Sequence, residues 1–286
     1  MVTIDTWRAQ MSEDMRLRDF RPRTQEGYLA AAGHFIDWLK RGPETATEKD
    51  VRGYFLYLRE DKQLAPSSIH VVLYALRFFF HHTMQREWKV FDLLRVNRPR
   101  LLPVVLSPGE VRSVLAVVRH PVRRMALATI YALGLRLGEG LSLETGHIDG
   151  ERLTVWVRDG KGAKDRGVPL PRPLLTRLRR YWKTERPASA TKYLFVPPGG
   201  KAPLHETTLQ KTFLAARAEA HLAKDATIHT LRHSYATHLL EAGISLRTIQ
   251  QVLGHRSMRT TEIYMHVTQP GVERLQETLD RIMVDL

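Results

Sequence analysis

The chain has 286 residues, 43% of them hydrophobic and 26% charged, a composition typical of a globular protein with one large domain or two ordinary ones. Its formal net charge of +14 and pI of about 10.2 indicate a polyanionic partner, most simply nucleic acid, with a membrane surface as the alternative. The absence of cysteine excludes disulfides and thiolate metal sites. The longest apolar run, Met125 to Leu135, is far shorter than the ~20 residues of a membrane-spanning helix, so it predicts a buried core helix.

Residues 1–95 predict a bundle of about four helices, because apolar residues recur at spacings of three and four throughout. Arg21-Pro22-Arg23 separates the first two helices, and Gly42-Pro43 ends the second. Thr47 is the predicted N-cap of the third helix, and Pro66 opens the fourth. We expect this bundle to form a separate N-terminal domain.

Residues 96–106 predict a linker, because Pro99 and Pro103 disfavour helix. Basic side chains cluster at this point of the chain. They are Arg95, Arg98 and Arg100. Two interpretations stay open for them: a solvated basic loop, or a strap that lies along a phosphate backbone.

A second domain, 107–286, begins at Ser107-Pro108-Gly109-Glu110, where the serine and glutamate have the spacing of a capping box. An apolar helix from Pro121 to Leu133 ends at Gly134. The alternation from Leu153 to Val157 predicts a strand, and a return strand over 167–170 would complete a hairpin with a basic tip. Further helices are predicted at about 171–184, 205–222, 229–242, 245–253 and 259–266.

The stretch from His229 to Tyr264 interleaves polar residues with apolar ones at helical spacing. His229 and Arg232 would share a helix face, and His255 follows a glycine in a turn that would expose it. His229 and His233 have a zinc-binding spacing, but position 230 is threonine where a zinc protease needs glutamate. Arg232 would also repel a dication, so we predict no metal site.

Three segments of the second domain together resemble the tyrosine recombinase (phage integrase) family, in particular its short two-domain Xer-type members. They are YALGLRLGE at 131–139, GKGAKDR followed by VPL at 160–170, and the block LRHSYATHLLEAG, IQQVLGH and TTEIYMHV at 231–267. The resemblance is strong over about 107–270. It implies a mainly α fold with a small β-hairpin or sheet: an N-terminal helical, SAM-like core-binding bundle and a C-terminal tyrosine recombinase catalytic domain.

The resemblance also implies a role for each matching residue. Arg136, Arg232 and His255 would hold the scissile phosphate, Lys161 would be the general acid, His229 would support proton transfer, Tyr264 would be the nucleophile and Glu139 would orient the site. Lys164 is the alternative general acid and, with Arg166 and the three linker arginines, a predicted DNA contact. One departure is Gly140, where the family usually has an apolar residue, and it bears on local packing.

These residue types suit the chemistry on physical grounds. Attack by an oxyanion adds negative charge to a phosphodiester, and the forked donors of guanidinium groups match phosphate oxygens. Nearby cations should also help to deprotonate a tyrosine, whose ordinary pKa is ~10. The sequence shows no Walker A pattern, since Gly162 follows Lys161, and no carboxylate cluster for magnesium, so we expect neither ATP, metal nor another cofactor.

We therefore expect a prokaryotic, cytoplasmic, DNA-associated enzyme with double-stranded DNA as its partner and no membrane or small-molecule partner. Four copies would assemble on two target sites. The tail, 270–286, has helical spacing of apolar residues, and it would pack on its own domain or dock into a neighbouring copy. The alternatives are a type IB topoisomerase, which relaxes DNA without site choice, and a non-catalytic DNA-binding regulator.

Overall fold

The structure is a computed structural model that describes residues 4–96, 102–158, 165–255 and 257–265. The chain divides into two compact units, Met1–Arg100 and Leu101–Leu286. Helices dominate both units, and the second also contains a small antiparallel sheet, so the predicted fold class is confirmed. No helix in the described ranges is long and apolar enough to cross a membrane.

The first unit contains the helices α1 (Ile4–Leu17), α2 (Pro22–Leu39), α3 (Glu48–Glu60), α4 (Pro66–Phe78) and α5 (Val90–Leu93). Thr47 is the N-cap of α3 as predicted, and it also forms a capping box. Its side chain accepts from the backbone N–H of Asp50, while the Asp50 carboxylate accepts from the Thr47 N–H. The core is rich in aromatic rings, such as Phe35 and Tyr54, whose centroids lie 5.2 Å apart in an edge-on contact. The sequence did not predict α5 or the π-helical turn Phe79–Thr83 that follows α4.

The helices of the second unit are α6 (Pro108–Val117), α7 (Pro121–Ala132), α8 (Leu137–Leu141), α9 (Arg172–Thr184), α10 (Glu206–Glu219), α11 (Ile228–Glu241) and α12 (Leu246–Leu253). The capping box at Ser107 and Glu110 begins α6 as predicted. The side chains of Ala126, Leu127 and Ile130 on α7 are fully buried, which confirms that this helix is central.

The sheet of the second unit has the order β1–β2–β3, with β1 at Ile148–Asp149, β2 at Thr154–Val157 and β3 at Arg166–Pro169. All pairings are antiparallel, and Val155 lies opposite Val168. The strands β2 and β3 form the predicted hairpin, whose tip at 159–164 lies outside the described residues. The sequence missed β1, because two residues show no alternation.

The last part of the predicted linker packs into the second unit. Leu106 is fully buried, and its backbone N–H donates to Oγ of Ser234 at 2.9 Å. The carbonyl of Val105 accepts a hydrogen bond from Nζ of Lys224 at 2.9 Å. Residues 97–101 lie outside the described residues, so the linker role of the remaining segment stays a prediction.

The helix predicted over 259–266 is wrong for the residues that the structure describes. Two short 3₁₀ turns, Met258–Thr260 and Glu262–Tyr264, occupy this stretch. These turns are held by backbone hydrogen bonds in which each N–H donates to the carbonyl three residues earlier. One example runs from the N–H of Tyr264 to the carbonyl of Thr261 at 3.1 Å. The side chain of Thr261 is buried and bonded to His255, and this tertiary contact competes with regular helix.

Candidate active site

The predicted site residues converge on the turn that follows α7. Gly134 in this turn has a φ of +59°, and a Cβ atom there would lie 2.3 Å from Cδ1 of Tyr235, so the position requires glycine. The Gly134 carbonyl accepts a hydrogen bond from Nη1 of Arg232 at 2.8 Å. Arg136 lies at the N-cap of α8, whose first turn carries Glu139. The turn thus brings both arginines and the carboxylate to one place.

Glu139 is the centre of a buried ionic cluster, with its side chain 8% exposed. Its Oε1 accepts from Nη1 of Arg136 at 2.6 Å and from Nη1 of Arg166 at 3.1 Å. Its Oε2 accepts from the backbone N–H of Arg136 at 2.9 Å and from Nη2 of Arg166 at 2.7 Å. Nη1 of Arg232 lies 3.7 Å from the same oxygen. One carboxylate therefore orients three guanidinium groups.

The charge of this cluster suits an anionic ligand. Burial acts to raise the pKa of Glu139, but hydrogen bonds and charge from Arg166, together with hydrogen bonds from Arg136, outweigh burial and lower the pKa to about 2. Burial and the charge of Arg136 lower the pKa of Arg232 to about 10, which still leaves it protonated at neutral pH. Three positive guanidiniums and one carboxylate leave two net positive charges at the site.

The backbone around α12 holds two of the arginines. Nη2 of Arg232 donates to the carbonyl of Leu253 at 2.6 Å, and the whole side chain is 2% exposed. Nη2 of Arg136 lies 3.4 Å from the carbonyl of Gly254, but its side chain is 26% exposed. Gly254 ends α12 in the left-handed conformation. Arg136 is thus the more accessible of the two guanidiniums.

The tyrosine and histidine side chains form a second group of contacts in the site. Tyr264 is 1% exposed, and its hydroxyl oxygen lies 3.0 Å from Nδ1 of His233. The His255 ring is nearly parallel to the Tyr264 ring, with centroids 6.4 Å apart at 19°. Nδ1 of His255 is hydrogen-bonded to Oγ1 of Thr261 at 2.9 Å. The rings of His229 and His233 meet edge to face, 4.8 Å apart.

The histidines of the site are neutral at neutral pH, because burial disfavours their charged forms. Burial and the charges of Arg232 and Arg136 lower the pKa of His255 to about 3. Burial, His229 and Arg232 lower the pKa of His233 to about 4. The pKa of His229 is also lowered, first by burial and then by Arg232. Neutral imidazoles can accept protons and hydrogen bonds, which imidazolium cannot.

The pKa of Tyr264 shows two opposing effects. Burial raises it, while the charges of Arg232 and Arg136 lower it, as the sequence predicts for nearby cations. Burial is the larger effect, so the pKa lies above its ordinary value and the phenol keeps its proton. The cations thus act on the Tyr264 pKa in the predicted direction, but burial outweighs them in the chain without a ligand.

Most of the residues predicted to be catalytic or supporting lie together in the structure. The assembled ones are Arg136, Glu139, His229, Arg232, His255 and Tyr264. The two candidate acids, Lys161 and Lys164, and the predicted DNA contacts Arg98 and Arg100 lie outside the described residues. Arg95 is exposed in the first unit, and its backbone carbonyl accepts from Nη2 of Arg59 at 2.7 Å.

Two residues have surroundings that differ from what the sequence suggested. Arg166, predicted to contact DNA, is 11% exposed and donates to Glu139 and to the carbonyl of Val252. His233, considered only as a zinc ligand, contacts the Tyr264 hydroxyl instead. Its spacing of four residues from His229 puts both histidines on one face of α11. This spacing is the sequence signal that could have indicated a role for His233 in the site. No group of three or more potential metal ligands occurs among the described residues.

Gly140, the departure noted in the sequence, has a packing reason. A Cβ atom there would lie 2.5 Å from Cγ1 of Ile130 on α7. Ile130 is fully buried, so it cannot move aside without disturbing the core. The glycine lets α8 approach α7 closely and leaves the Glu139 contacts intact.

Residues 105–270 match the phage integrase family, and residues 7–90 match the N-terminal SAM-like domain of phage integrases. The chain belongs to the phage integrase family of tyrosine recombinases. The resemblance seen in the sequence is thereby confirmed, including the SAM-like character of the first unit. The match to the family covers the whole assembled site.

Relatives in two organisms extend over most of the chain. The chain is 41% identical to the putative integrase/recombinase y4qK of Sinorhizobium fredii, over 91% of this chain and 84% of that protein. It is 33% identical to the tyrosine recombinase XerA of Thermococcus kodakarensis, over 90% of this chain and 89% of that protein. The Xer-type likeness therefore rests on sequence as well as on fold.

Solved structures share the fold. A XerA recombinase crystal structure matches with a TM-score of 0.55 and 26% identity, over 96% of this chain and 98% of that one. A lambda integrase dimer bound to a core site matches with a TM-score of 0.75 and 18% identity, over 91% of this chain and 94% of that one. XerH bound to its difH substrate after cleavage matches with a TM-score of 0.71 and 21% identity, over 89% of this chain and 78% of that one.

Proposed function

We propose that this chain is a site-specific recombinase that cuts and rejoins duplex DNA through a covalent 3′-phosphotyrosine. The observation that supports this most directly is that the charges of Arg232 and Arg136 act on the Tyr264 hydroxyl and lower its pKa against the effect of burial. Tyr264 attacks the scissile phosphorus and a 5′-hydroxyl leaves. The covalent bond to the enzyme conserves the phosphodiester energy, so a second 5′-hydroxyl can reseal the strand without ATP.

Arg136, Arg232 and His255 are the proposed ligands of the phosphate oxygens. The two guanidiniums are held by backbone carbonyls and by Glu139, so they are oriented before DNA binds. Donors fixed in this way typically contribute ~3 kcal/mol each to the transition state, or about 10²-fold in rate. Tyr264 and Arg232 are both buried, so DNA binding must uncover them before attack.

Glu139 and Arg166 would act behind the proposed phosphate ligands, by holding them in position. Glu139 accepts from Arg136 and lies 3.7 Å from Arg232, while Arg166 holds the other side of the carboxylate. We therefore assign Arg166 a positioning role in place of the DNA contact predicted from the sequence. Its guanidinium is committed within the protein at Nε, Nη1 and Nη2.

The proposed general acid for the leaving 5′-oxygen is Lys161, with Lys164 as the alternative. A substrate with sulfur in place of the bridging 5′-oxygen decides between them, because a thiolate leaves without a proton. The acid is the lysine whose replacement by alanine slows cleavage of the normal substrate but not of the sulfur substrate. Replacement of the other lysine should change the cleavage rates of the normal and the sulfur substrate by the same factor.

We propose further that four copies assemble on two double-stranded sites and exchange strands in pairs, in the cytoplasm of a prokaryote. The lambda integrase neighbour is a dimer on a core site, which supports assembly on DNA. The tail, 270–286, would dock into a neighbouring copy. Truncation before residue 270 should then weaken assembly on paired sites while a single copy still binds and cleaves.

A DNA-relaxing topoisomerase and a non-catalytic regulator are the rival functions. Covalent adducts can be selected under denaturing conditions from duplexes with a nick and a randomised central segment. Our proposal predicts adducts on one sequence class and strand exchange between two copies of it. Supercoil relaxation without sequence preference would favour a topoisomerase, and binding without any adduct would favour a regulator.

A further inference from the structure

His233 lies against the nucleophilic hydroxyl and has no part in the roles described above. Its Nδ1 lies 3.0 Å from the Tyr264 oxygen, and the two ring centroids are 5.7 Å apart. Within the described ranges, this is the one hydrogen bond of the Tyr264 hydroxyl. The partner of a reacting hydroxyl is a candidate for the group that takes its proton.

The protonation states of both partners allow a hydrogen bond from the phenol to the imidazole. The pKa of His233 is lowered to about 4, so the ring is neutral and one nitrogen has a lone pair. The pKa of Tyr264 is raised, so the phenol carries its proton. The phenol can therefore donate to Nδ1 when the imidazole carries its own proton on Nε2, and this is the tautomer that can receive the phenolic proton.

The other histidines are less well placed for this role. Nδ1 of His255 is already hydrogen-bonded to Thr261, and its ring lies nearly parallel to the Tyr264 ring. His229 contacts the ring of His233 edge to face. Geometry therefore favours His233 over the residue to which the family resemblance assigns support of proton transfer.

We propose that His233 is a catalytic base that receives the phenolic proton as Tyr264 attacks phosphorus, an inference that rests on the proposed strand cleavage. The O–H bond of Tyr264 breaks, and its proton binds Nδ1 of His233. The oxygen electron pair forms the P–O bond, while the bond to the 5′-oxygen breaks and that oxygen takes a proton from the general acid. In religation, His233 returns its proton to the departing phenolate.

DNA supplies the charge that makes this transfer favourable. In the free enzyme the positive charge of Arg232 opposes an imidazolium at His233. A phosphate bound to Arg136 and Arg232 offsets that charge beside the imidazole. Tyr264 therefore keeps its proton until a phosphate is in place, which limits reaction with other electrophiles.

The test compares His233→Asn and His233→Ala with the unmodified chain on the duplex recovered by covalent selection. The asparagine carbonyl can accept the phenol hydrogen bond but cannot take up the proton. We expect both variants to cleave about 10²–10⁴-fold more slowly. Their rates should rise with pH as phenolate forms, whereas the unmodified chain should show a flat profile from about pH 5 to 8. His221→Asn, at an exposed histidine, is the matched control and should keep the unmodified rate.

The sulfur-bridged substrate distinguishes loss of the base from loss of the general acid, because its leaving group needs no proton. The loss in His233→Asn should persist on it, because nucleophile activation is still needed. The proposal is overturned if His233→Asn cleaves at the unmodified rate, or if the sulfur substrate restores its activity. Thermal melting and duplex binding check that each variant is folded. If His233→Asn does not fold, His233→Gln takes its place in the test. No adduct from the unmodified chain would instead refute the proposed function.

Discussion

Arg166 and Glu139 form a two-point salt bridge in the interior of the second unit. Nη1 and Nη2 of Arg166 donate to the two carboxylate oxygens at 3.1 and 2.7 Å, and the side chains are 11% and 8% exposed. The same carboxylate accepts from Arg136, the most exposed of the three arginines. The pair thus links β3 to the N-terminal turn of α8.

Replacement of Glu139 by glutamine should destabilise the second unit. The change removes the one negative charge among three guanidiniums, and loss of one partner from a buried ion pair typically costs about 3–5 kcal/mol. Urea denaturation measures the free energy of unfolding. Glu151→Gln, at an exposed glutamate, should change it by less than ~0.5 kcal/mol. Equal unfolding midpoints for the two variants would contradict the central place of Glu139.

Arg166→Ala distinguishes a positioning role from a DNA contact. We expect slower cleavage and a loss of about 3 kcal/mol in stability, because the partner carboxylate stays buried. The dependence of non-specific duplex binding on salt should not change. A true phosphate contact would instead reduce the slope of log K against log salt by about 1. Arg158→Ala, at an exposed arginine of the same unit, should leave stability unchanged.

The buried histidines predict a loss of stability in mild acid. His255 has a pKa of about 3 in the folded chain and an ordinary value of 6.5, so between these values the unfolded chain binds a proton that the folded chain does not. Stability therefore falls as the pH drops below 6.5. Glu139, with a pKa lowered from 4.5 to about 2, contributes a further loss only below about pH 4.5.

Thermal melting at pH 7 and pH 5 tests this histidine effect. His255→Gln cannot bind the proton, so its Tm should fall less between the two pH values than that of the unmodified chain. His221→Gln, at an exposed site, should show the unmodified dependence. If His255→Gln and the unmodified chain lose the same number of degrees, His255 is not held neutral by burial.

Gly134→Ala should disturb both the fold and the site. Its φ of +59° costs about 1 kcal/mol for alanine, and the added methyl would also meet the Tyr235 ring. Gly199→Ala is the matched control, since Gly199 has a φ of +66° with nothing within 4 Å. The free energy of unfolding should fall more in Gly134→Ala, and cleavage should fall only there, because the Gly134 carbonyl holds Arg232. Equal losses of unfolding free energy in the two variants would show that the Tyr235 ring moves aside for the added methyl group.

The fold and the site differ in how far the sequence could predict them. Long helices with marked ends, such as those at Thr47 and Ser107, follow from local capping and periodicity. The short α8 and the turns at 258–264 have too few residues for a period. Tertiary contacts fix them, as in the bond between His255 and Thr261.

The surroundings of individual side chains were harder to predict for the same reason. Arg166 follows a lysine-rich segment, so the sequence alone favours a DNA contact. Only the pairing of β2 with β3 and the approach of α12 show that its partners are Glu139 and Val252. The contact between His233 and Tyr264 likewise depends on turns whose geometry has no sequence period.

In the proposed reaction, Tyr264 becomes covalently joined to a DNA 3′-phosphate. The adduct formed on a nicked duplex can be digested with trypsin and nuclease, and the modified peptide identified by mass spectrometry. We predict a nucleotide joined through its 3′-phosphate to the peptide that contains Tyr264, and no adduct from Tyr264→Phe. An adduct on another residue, a linkage through a 5′-phosphate, or an adduct that persists in Tyr264→Phe would rule out a 3′-phosphotyrosine at Tyr264.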